Sequence, residues 1–244
     1  MILRNFYLVI IVFVISSCMT NVAFADDKIQ VVTESWYPYN YLDKDGNVVG
    51  KSTLAVKEIL AAAGIDYSID VYPWARAFNL AKTRTHVLIY SILRTPDREK
   101  FFYWFCPISN LESHQIYKLT SRDDIIVNVE QDIKKYTISA TRDTFLHQYM
   151  LGLGLVDGVN LQINSEDTRA TKMFFAGRVD LIADLESSME RTLTRKGLDK
   201  SIVTPLTLIP AERYPANCMA LSKRSPINLV NKIAKAHQKF ISEL

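Results

Sequence analysis

Short apolar runs alternate with amphipathic stretches along most of this chain. Residues 29–33 read as a strand, and the aromatic segment Trp36-Tyr37-Pro38-Tyr39-Asn40-Tyr41 follows, with a turn at Asp45-Gly46-Asn47. Val56, Ile59, Leu60 and Ala63 recur at i, i+3, i+4 and i+7, which predicts a helix capped by Ser52 or Thr53 and ended by Gly64. A strand over 67–72 comes next. Pro73 then suits the first position of a helix whose inner face is Trp74, Ala77, Phe78 and Ala81. Residues 86–92 read as a continuous apolar strand, the kind covered on both faces in a parallel sheet.

The same theme returns further along. Residues 136–140 predict a strand, and Leu146, Tyr149, Met150 and Leu153 mark one face of a helix. A strand at 161–163 precedes a helix over 167–176 with Ala170, Met173 and Phe174 inward, and Gly177-Arg178 turns the chain into a strand at 179–183. Ser225 reads as an N-cap before Pro226, with Val230, Ile233, Ala234, His237 and Ile241 facing a core. Strands alternating with helices predict an α/β protein with mostly parallel sheets, and the break around 109–124 divides them into two lobes.

The first residues follow another logic. Arg4 and an unbroken apolar run over 6–15 lead to Ala23-Phe24-Ala25, the pattern of a secretory signal peptide over 1–25 cut after Ala25. The run is shorter than the roughly 18 apolar residues a membrane span needs. Ile15-Ser16-Ser17-Cys18 offers a second route, lipidation at Cys18. Either route exports the chain to the periplasm. Export leaves Cys106 and Cys218 where disulfides persist, so they read either as one bridge or as two buried thiols.

Composition adds exclusions. The 244 residues are 48% hydrophobic and 23% charged, enough for a sizeable core and unlike a disordered chain. The net charge of +3 carries no dense basic run, so nucleic acid is not indicated. His86, His114, His147 and His237 form no metal-ligand spacing, and neither a GxSxG elbow nor a P-loop is present. Gly152, Gly154 and Gly158 miss the dinucleotide spacing and follow a predicted helix where a strand is required.

One stretch is distinctive. Ile89-Tyr90-Ser91-Ile92-Leu93-Arg94-Thr95-Pro96-Asp97-Arg98-Glu99-Lys100 runs into the aromatic segment 101–108, FFYWFCPI. It resembles the signature of the family 3 bacterial extracellular solute-binding proteins, the polar amino acid receptors of ABC importers. The aromatic opening loop, the Asp-Gly turn before Val48-Val49-Gly50, Trp74 opening a helix, and Gly177-Arg178-Val179-Asp180 fall in the same order as in that family.

The resemblance implies a two-lobed periplasmic-binding-protein-like fold of type II. Lobe I would take residues 26–109 and 219–244, and lobe II residues 110–218. Crossover hinges would lie near 107–110 and 217–221. It implies a monomer that closes on a small carboxylate or amino acid and delivers it to an inner-membrane ABC permease, with no cofactor and no metal. Arg98 matches the arginine that holds the ligand carboxylate, Ser91 a backbone and side-chain contact, and Thr144 a threonine at a helix start where free N–H groups favour a carboxylate. Trp36, Tyr37 and Tyr39 lie at the sheet edge where such folds bind ligands and can stack on them. Asp184 is the candidate for a ligand amino group.

This chain also departs from the family pattern. Leu93 replaces a common hydroxyl, Asp143 stands where Gly is common, and Asp184 and Glu186 flank the usual position of the amino-binding acid. The other readings are a ligand sensor coupled to a membrane receptor and a small-carboxylate lyase using Asp184, Glu186 or Glu34 as its acid.

Overall fold

The computed structural model describes residues 28–209 and 216–243. The signal-peptide and Cys18 expectations lie outside the described residues. The strands are β1 (Ile29–Thr33), β2 (Tyr41–Leu42), β3 (Val48–Val49), β4 (Tyr67–Val71), β5 (Val87–Leu93), β6 (Phe102–Ser109), β7 (His114–Leu119), β8 (Ile138–Thr141), β9 (Leu161–Asn164), β10 (Leu181–Leu185), β11 (Val203–Ile209) and β12 (Asn217–Ser222). The helices are α1 (Lys51–Ala62), α2 (Trp74–Thr83), α3 (Phe145–Gly152), α4 (Asp167–Phe175), α5 (Glu186–Lys196) and α6 (Ile227–Ser242).

Two five-stranded sheets carry the fold, in orders β4-β1-β5-β12-β6 and β11-β7-β10-β8-β9. They are mixed, with four parallel and four antiparallel pairings, which corrects the expectation of mostly parallel sheets. The antiparallel pairings involve β6, β7, β11 and β12, the strands flanking the passages between sheets. A strand reached by a direct hairpin or a returning chain need not run parallel.

In the first sheet β5 is buried at every position, as its apolar run required. Its two faces are covered by different layers. Val56, Ile59 and Leu60 of α1 and Leu229 and Ile233 of α6 pack with Leu88 and Tyr90. On the opposite face Trp74, Ala77 and Ala81 of α2 pack with Ile89 and Ile92. The second sheet repeats this arrangement, with Met150 of α3 beside Ile138 and Leu181 on one face and Phe174, Met189 and Leu193 beside Ile182 on the other.

The chain leaves the first sheet after Ser109, enters the second at His114, and returns between Ile209 and Asn217. β12 lies between β5 and β6, and its pairing with both neighbours shifts register around Cys218. Cys106 and Cys218 form a disulfide joining β6 to β12, Cα to Cα 4.5 Å. Beside it the Asn217 amide donates to Ser109 Oγ at 2.8 Å and Ser52 Oγ at 3.1 Å, so both passages are tied to α1.

Two caps differ from expectation. α1 starts at Lys51 with Gly50 in the cap position, ahead of both expected caps, because Gly50 at φ 121° brings its backbone against Tyr39; a Cβ there would meet the Tyr39 carbonyl at 2.3 Å. Ser52 and Thr53 therefore sit buried in the first turn, and the Thr53 hydroxyl bonds Tyr90 Oη at 2.9 Å. Ser225 does not cap α6; its hydroxyl accepts the His86 N–H at 3.0 Å, and Pro226 occupies the cap position.

Candidate functional site

The C-terminal edges of β1 and β5 face the second sheet across a cavity of about 400 Å3. Open α/β sheets place ligands at this edge. Arg98, Ser91, Thr144, Trp36, Tyr37 and Asp184 all line the cavity. Tyr39 does not. It is fully buried beneath Trp36, ring centroids 4.5 Å apart, and its hydroxyl accepts the Glu112 N–H at 2.7 Å.

Ser91 reaches the cavity through a backbone irregularity. β12 pairs Cys218 with Ile92 and Met219 with Tyr90, so Ser91 is the extra residue of a bulge, held at φ 56°. Bulges re-aim side chains at the edges of sites. Ser91 is 3% exposed, and its buried hydroxyl has no hydrogen-bond partner in the protein. Such a group costs free energy unless something else completes it.

Arg98 lies in a short 3-10 turn, Pro96–Phe101, directly after β5. It is buried, with its guanidinium 5.2 Å from the Trp74 ring centroid and 5.4 Å from that of Phe78. It donates to Leu93 O at 3.0 Å and to Asp143 O at 2.7 Å. Among the described residues no carboxylate pairs with it. Burial pulls its pKa down to about 10, against the nearby charges of Glu34, Asp143 and Asp97.

The Asp143 carbonyl belongs to the second lobe and receives two donors from the first, Arg98 and the Trp74 indole N–H at 2.8 Å. Asp143 adopts φ 61°, a left-handed conformation Asp tolerates. Thr144 caps α3: its hydroxyl accepts the His147 N–H at 3.2 Å and donates to Thr141 O at 2.8 Å. Its side chain is therefore committed to the turn, and what α3 presents to the cavity is its positive dipole end.

Sequence reasoning missed several lining residues. Arg191 of α5 crosses the cleft mouth and rests 4.3 Å from the ring centroids of both Tyr37 and Tyr41. Asp167, the first residue of α4, lines the cavity with Glu34 and Asp184. Glu186, weighed beside Asp184, is not among the lining residues. Burial pushes the Glu34 carboxyl well above its usual range; Asp167 adds to this and Arg98 opposes it. Asp184 is pushed up to about 7, chiefly by burial, with Ser188 drawing it down. Asp167 is raised by its surroundings and held back by a bond from the Thr141 hydroxyl. Glu34 and Asp184 are half-buried and Asp167 is exposed within the cleft, so water screening keeps these penalties below those of sealed charges. His114 is buried and pushed down to about 4.

The model of the bacterial extracellular solute-binding proteins, family 3, matches residues 29–243. The chain belongs to this family. The fold is the two-lobed periplasmic-binding-protein fold, and the cavity lies at the sheet edges between the two sheets.

Solved structures share that fold at low identity. A histidine kinase sensor domain with similarity to periplasmic binding proteins superposes with a TM-score of 0.74 at 16% identity, over 88% of this chain and 91% of that one. The arginine-, lysine-, histidine-binding protein ArtJ of Geobacillus stearothermophilus gives 0.72 at 18% identity, over 88% and 90%. An ancestral arginine-binding protein bound to arginine gives 0.71 at 17%, over 88% and 93%. No curated protein matches the chain. Among the described residues no helix is long and apolar enough to cross a membrane.

Proposed function

We propose that this chain is an exported, periplasmic solute-binding protein whose two lobes, 26–109 with 219–244 and 110–218, close on a small carboxylate-bearing ligand such as an amino acid. It works as a monomer and delivers that ligand to an ABC permease; no bond is made or broken. One observation carries the reading. A buried guanidinium, Arg98, and an unpartnered buried hydroxyl, Ser91, line the same cavity between the sheets. A carboxylate matches the remaining Arg98 N–H donors in charge and fork geometry. Trp36 and Tyr37 wall the entrance, and Asp184 faces the ligand amino group across the cleft.

The test is isothermal titration of the mature chain against amino acids and other small carboxylates, with Arg98→Met alongside. The expected result is a carboxylate that binds the wild type and loses about a hundredfold or more in Arg98→Met, since an uncompensated charged bond is costly. Equal binding by the variant would remove Arg98 as the anchor.

A sensing role is the second reading, favoured by the likeness to the histidine kinase sensor domain. The ligand chemistry is the same, and the two roles separate on whether the closed protein binds a permease or a receptor.

A further inference from the structure

Arg191 is placed by the pattern of its own helix. Met189 and Leu193 of α5 are buried beside Ile182 of the second sheet. That leaves Ser188, Arg191, Thr192 and Arg195, spaced i, i+3, i+4 and i+7, on the face that lines the cavity. Among the described residues no carboxylate pairs with Arg191, whereas Glu190 beside it pairs with Lys200.

The partners of Arg191 belong to the first lobe. The Tyr37 and Tyr41 rings stand 4.9 Å apart at an angle of 58°, and the guanidinium lies 4.3 Å from the centroid of each. A planar cation is attracted to the face of an aromatic ring, and more strongly where water is partly displaced. Arg191, Tyr37 and Tyr41 are all half-buried. The rings are set by their own lobe: Tyr41 pairs with Val49 across β2 and β3, and Tyr37 precedes the buried Tyr39.

The same helix is fastened at a second point, nearer the crossing. Glu112, between β6 and β7, accepts the Ser187 hydroxyl at 2.8 Å and the Lys51 ammonium at 2.9 Å, and its N–H donates to Tyr39 Oη at 2.7 Å. The first turn of α5 is thus tied to a passage between the sheets, where the lobes stay joined in any arrangement. Arg191 lies one turn further along, where rotation of the lobes about the passages lifts it off the rings.

We propose that Arg191 is a closing latch: its guanidinium docks on the Tyr37–Tyr41 pair, holds the lobes together and shuts the cavity mouth, so that a ligand enters or leaves only when it lifts away. This rests on the binding-protein reading and assigns to the same cleft a residue that sets its rate of exchange. While the cleft is shut, the aromatic pair serves the protein's own cation. Trp74 and Arg98 grip the Asp143 carbonyl elsewhere along the cleft, so the latch can be removed with that grip left in place.

The test needs no ligand and uses the mature, oxidised chain. Spin labels at the exposed positions Leu54→Cys of the first lobe and Val159→Cys of the second report interlobe distances by pulsed electron resonance, while Cys106 and Cys218 stay bonded to each other. Arg191→Met should lower the closed-to-open ratio about fivefold to tenfold, Arg191→Lys by less, and Tyr37→Leu with Tyr41→Leu by as much as Arg191→Met. Adding Arg191→Met to the tyrosine pair should change nothing further, because the three groups act as one contact. Distances unmoved in Arg191→Met, or losses that add, overturn the latch. A thermal midpoint lowered equally by methionine and lysine, with distances unmoved, makes Arg191 a packing residue and overturns it as well.

A second readout reports the mouth itself. Trp36 and Trp74 line the cavity, so in a Trp104→Phe background acrylamide quenching reports access to it, and Arg191→Met should raise the quenching constant about twofold. An unchanged constant overturns the shutting of the mouth. The parent reading fails separately. If no amino acid or small carboxylate binds the wild type, the carboxylate reading falls while the distances still decide the latch. If a carboxylate binds and is lost in Arg98→Met while Arg191→Met leaves the distances unmoved, that reading holds and the latch falls.

Discussion

Replacing the disulfide by Cys106→Ser with Cys218→Ala tests how the strands at the crossings are held. The bridge spans a sequence separation of 112 residues, so in the chain-entropy model its loss frees the unfolded chain by about 5 kcal/mol at 25 °C. The folded side changes less. Met219 still pairs with Phe105 and Asn217 with Ser109 on either side of the bridge, and the Asn217 amide still binds Ser109 and Ser52. Alanine suits position 218 because that side chain is fully buried, where a serine hydroxyl would need a partner; Cys106 is half-buried and accepts serine. The expected loss is about 3–5 kcal/mol, read by guanidinium unfolding of the oxidised wild type, the reduced wild type and the double variant. The denaturant slope should rise, because an uncrosslinked unfolded chain exposes more surface. A loss under about 1 kcal/mol with an unchanged slope refutes the loop-closure reasoning and places the stabilisation in the strand pairing.

Other substitutions probe separate features. Gly50→Ala puts a Cβ 2.3 Å from the Tyr39 carbonyl at φ +121°, and should cost about 2–4 kcal/mol by denaturant titration, lowering ligand affinity as the aromatic loop shifts. Trp74→Phe keeps an aromatic ring, smaller than the indole, and removes its bond to Asp143; the open form should gain roughly 1 kcal/mol, seen as a larger radius of gyration by small-angle scattering. Asp184 holds its proton to about pH 7 in the fold, whereas an unfolded Asp releases it near 4. The folded chain then binds more protons in that window, so ligand-free stability falls as pH rises from about 4 to 7; Asp184→Asn should flatten this slope in thermal melts at varied pH.

Much of the fold was legible because β5 and the helices α1, α2 and α4 carry clean burial patterns. Strand direction was not. Periodicity reports which face is buried, and nothing in β6, β7, β11 or β12 marks them as antiparallel. The first-lobe side of the cleft was legible through the stretch from Ile89 to Lys100, which brought in Ser91 and Arg98. Its second-lobe side was harder. Asp167 reads locally as an acidic residue in the first turn of a helix, which stabilises any helix. Arg191 reads as one solvated charge on a polar helix until tertiary packing sets it on Tyr37 and Tyr41. Tyr39 was the opposite case, since an aromatic loop does not reveal which ring turns inward. The Gly50 backbone and the Glu112 N–H decide that, and both lie outside the loop.

Asp143 shows why a departure from a family pattern can conserve geometry. The resemblance noted from the sequence implies glycine at this position, and the φ of 61° is the left-handed turn before α3 that sends the carbonyl across the cleft. Aspartate pays little to adopt that conformation, because a short polar side chain tolerates it. The carbonyl then receives Trp74 and Arg98 together, joining the lobes at the residue proposed to hold the ligand carboxylate. Arg98 has five N–H donors, of which two are seen on Leu93 and Asp143. The same guanidinium can therefore clasp the second lobe and present its remaining donors to the cavity. Under the proposed function, binding and closure would be coupled through it: a carboxylate that orders the guanidinium would also fix the donor that reaches Asp143, and opening the lobes would cost that bond. A ligand lacking the carboxylate would leave the clasp in place but without the added order, giving weaker closure for the same lobe contacts.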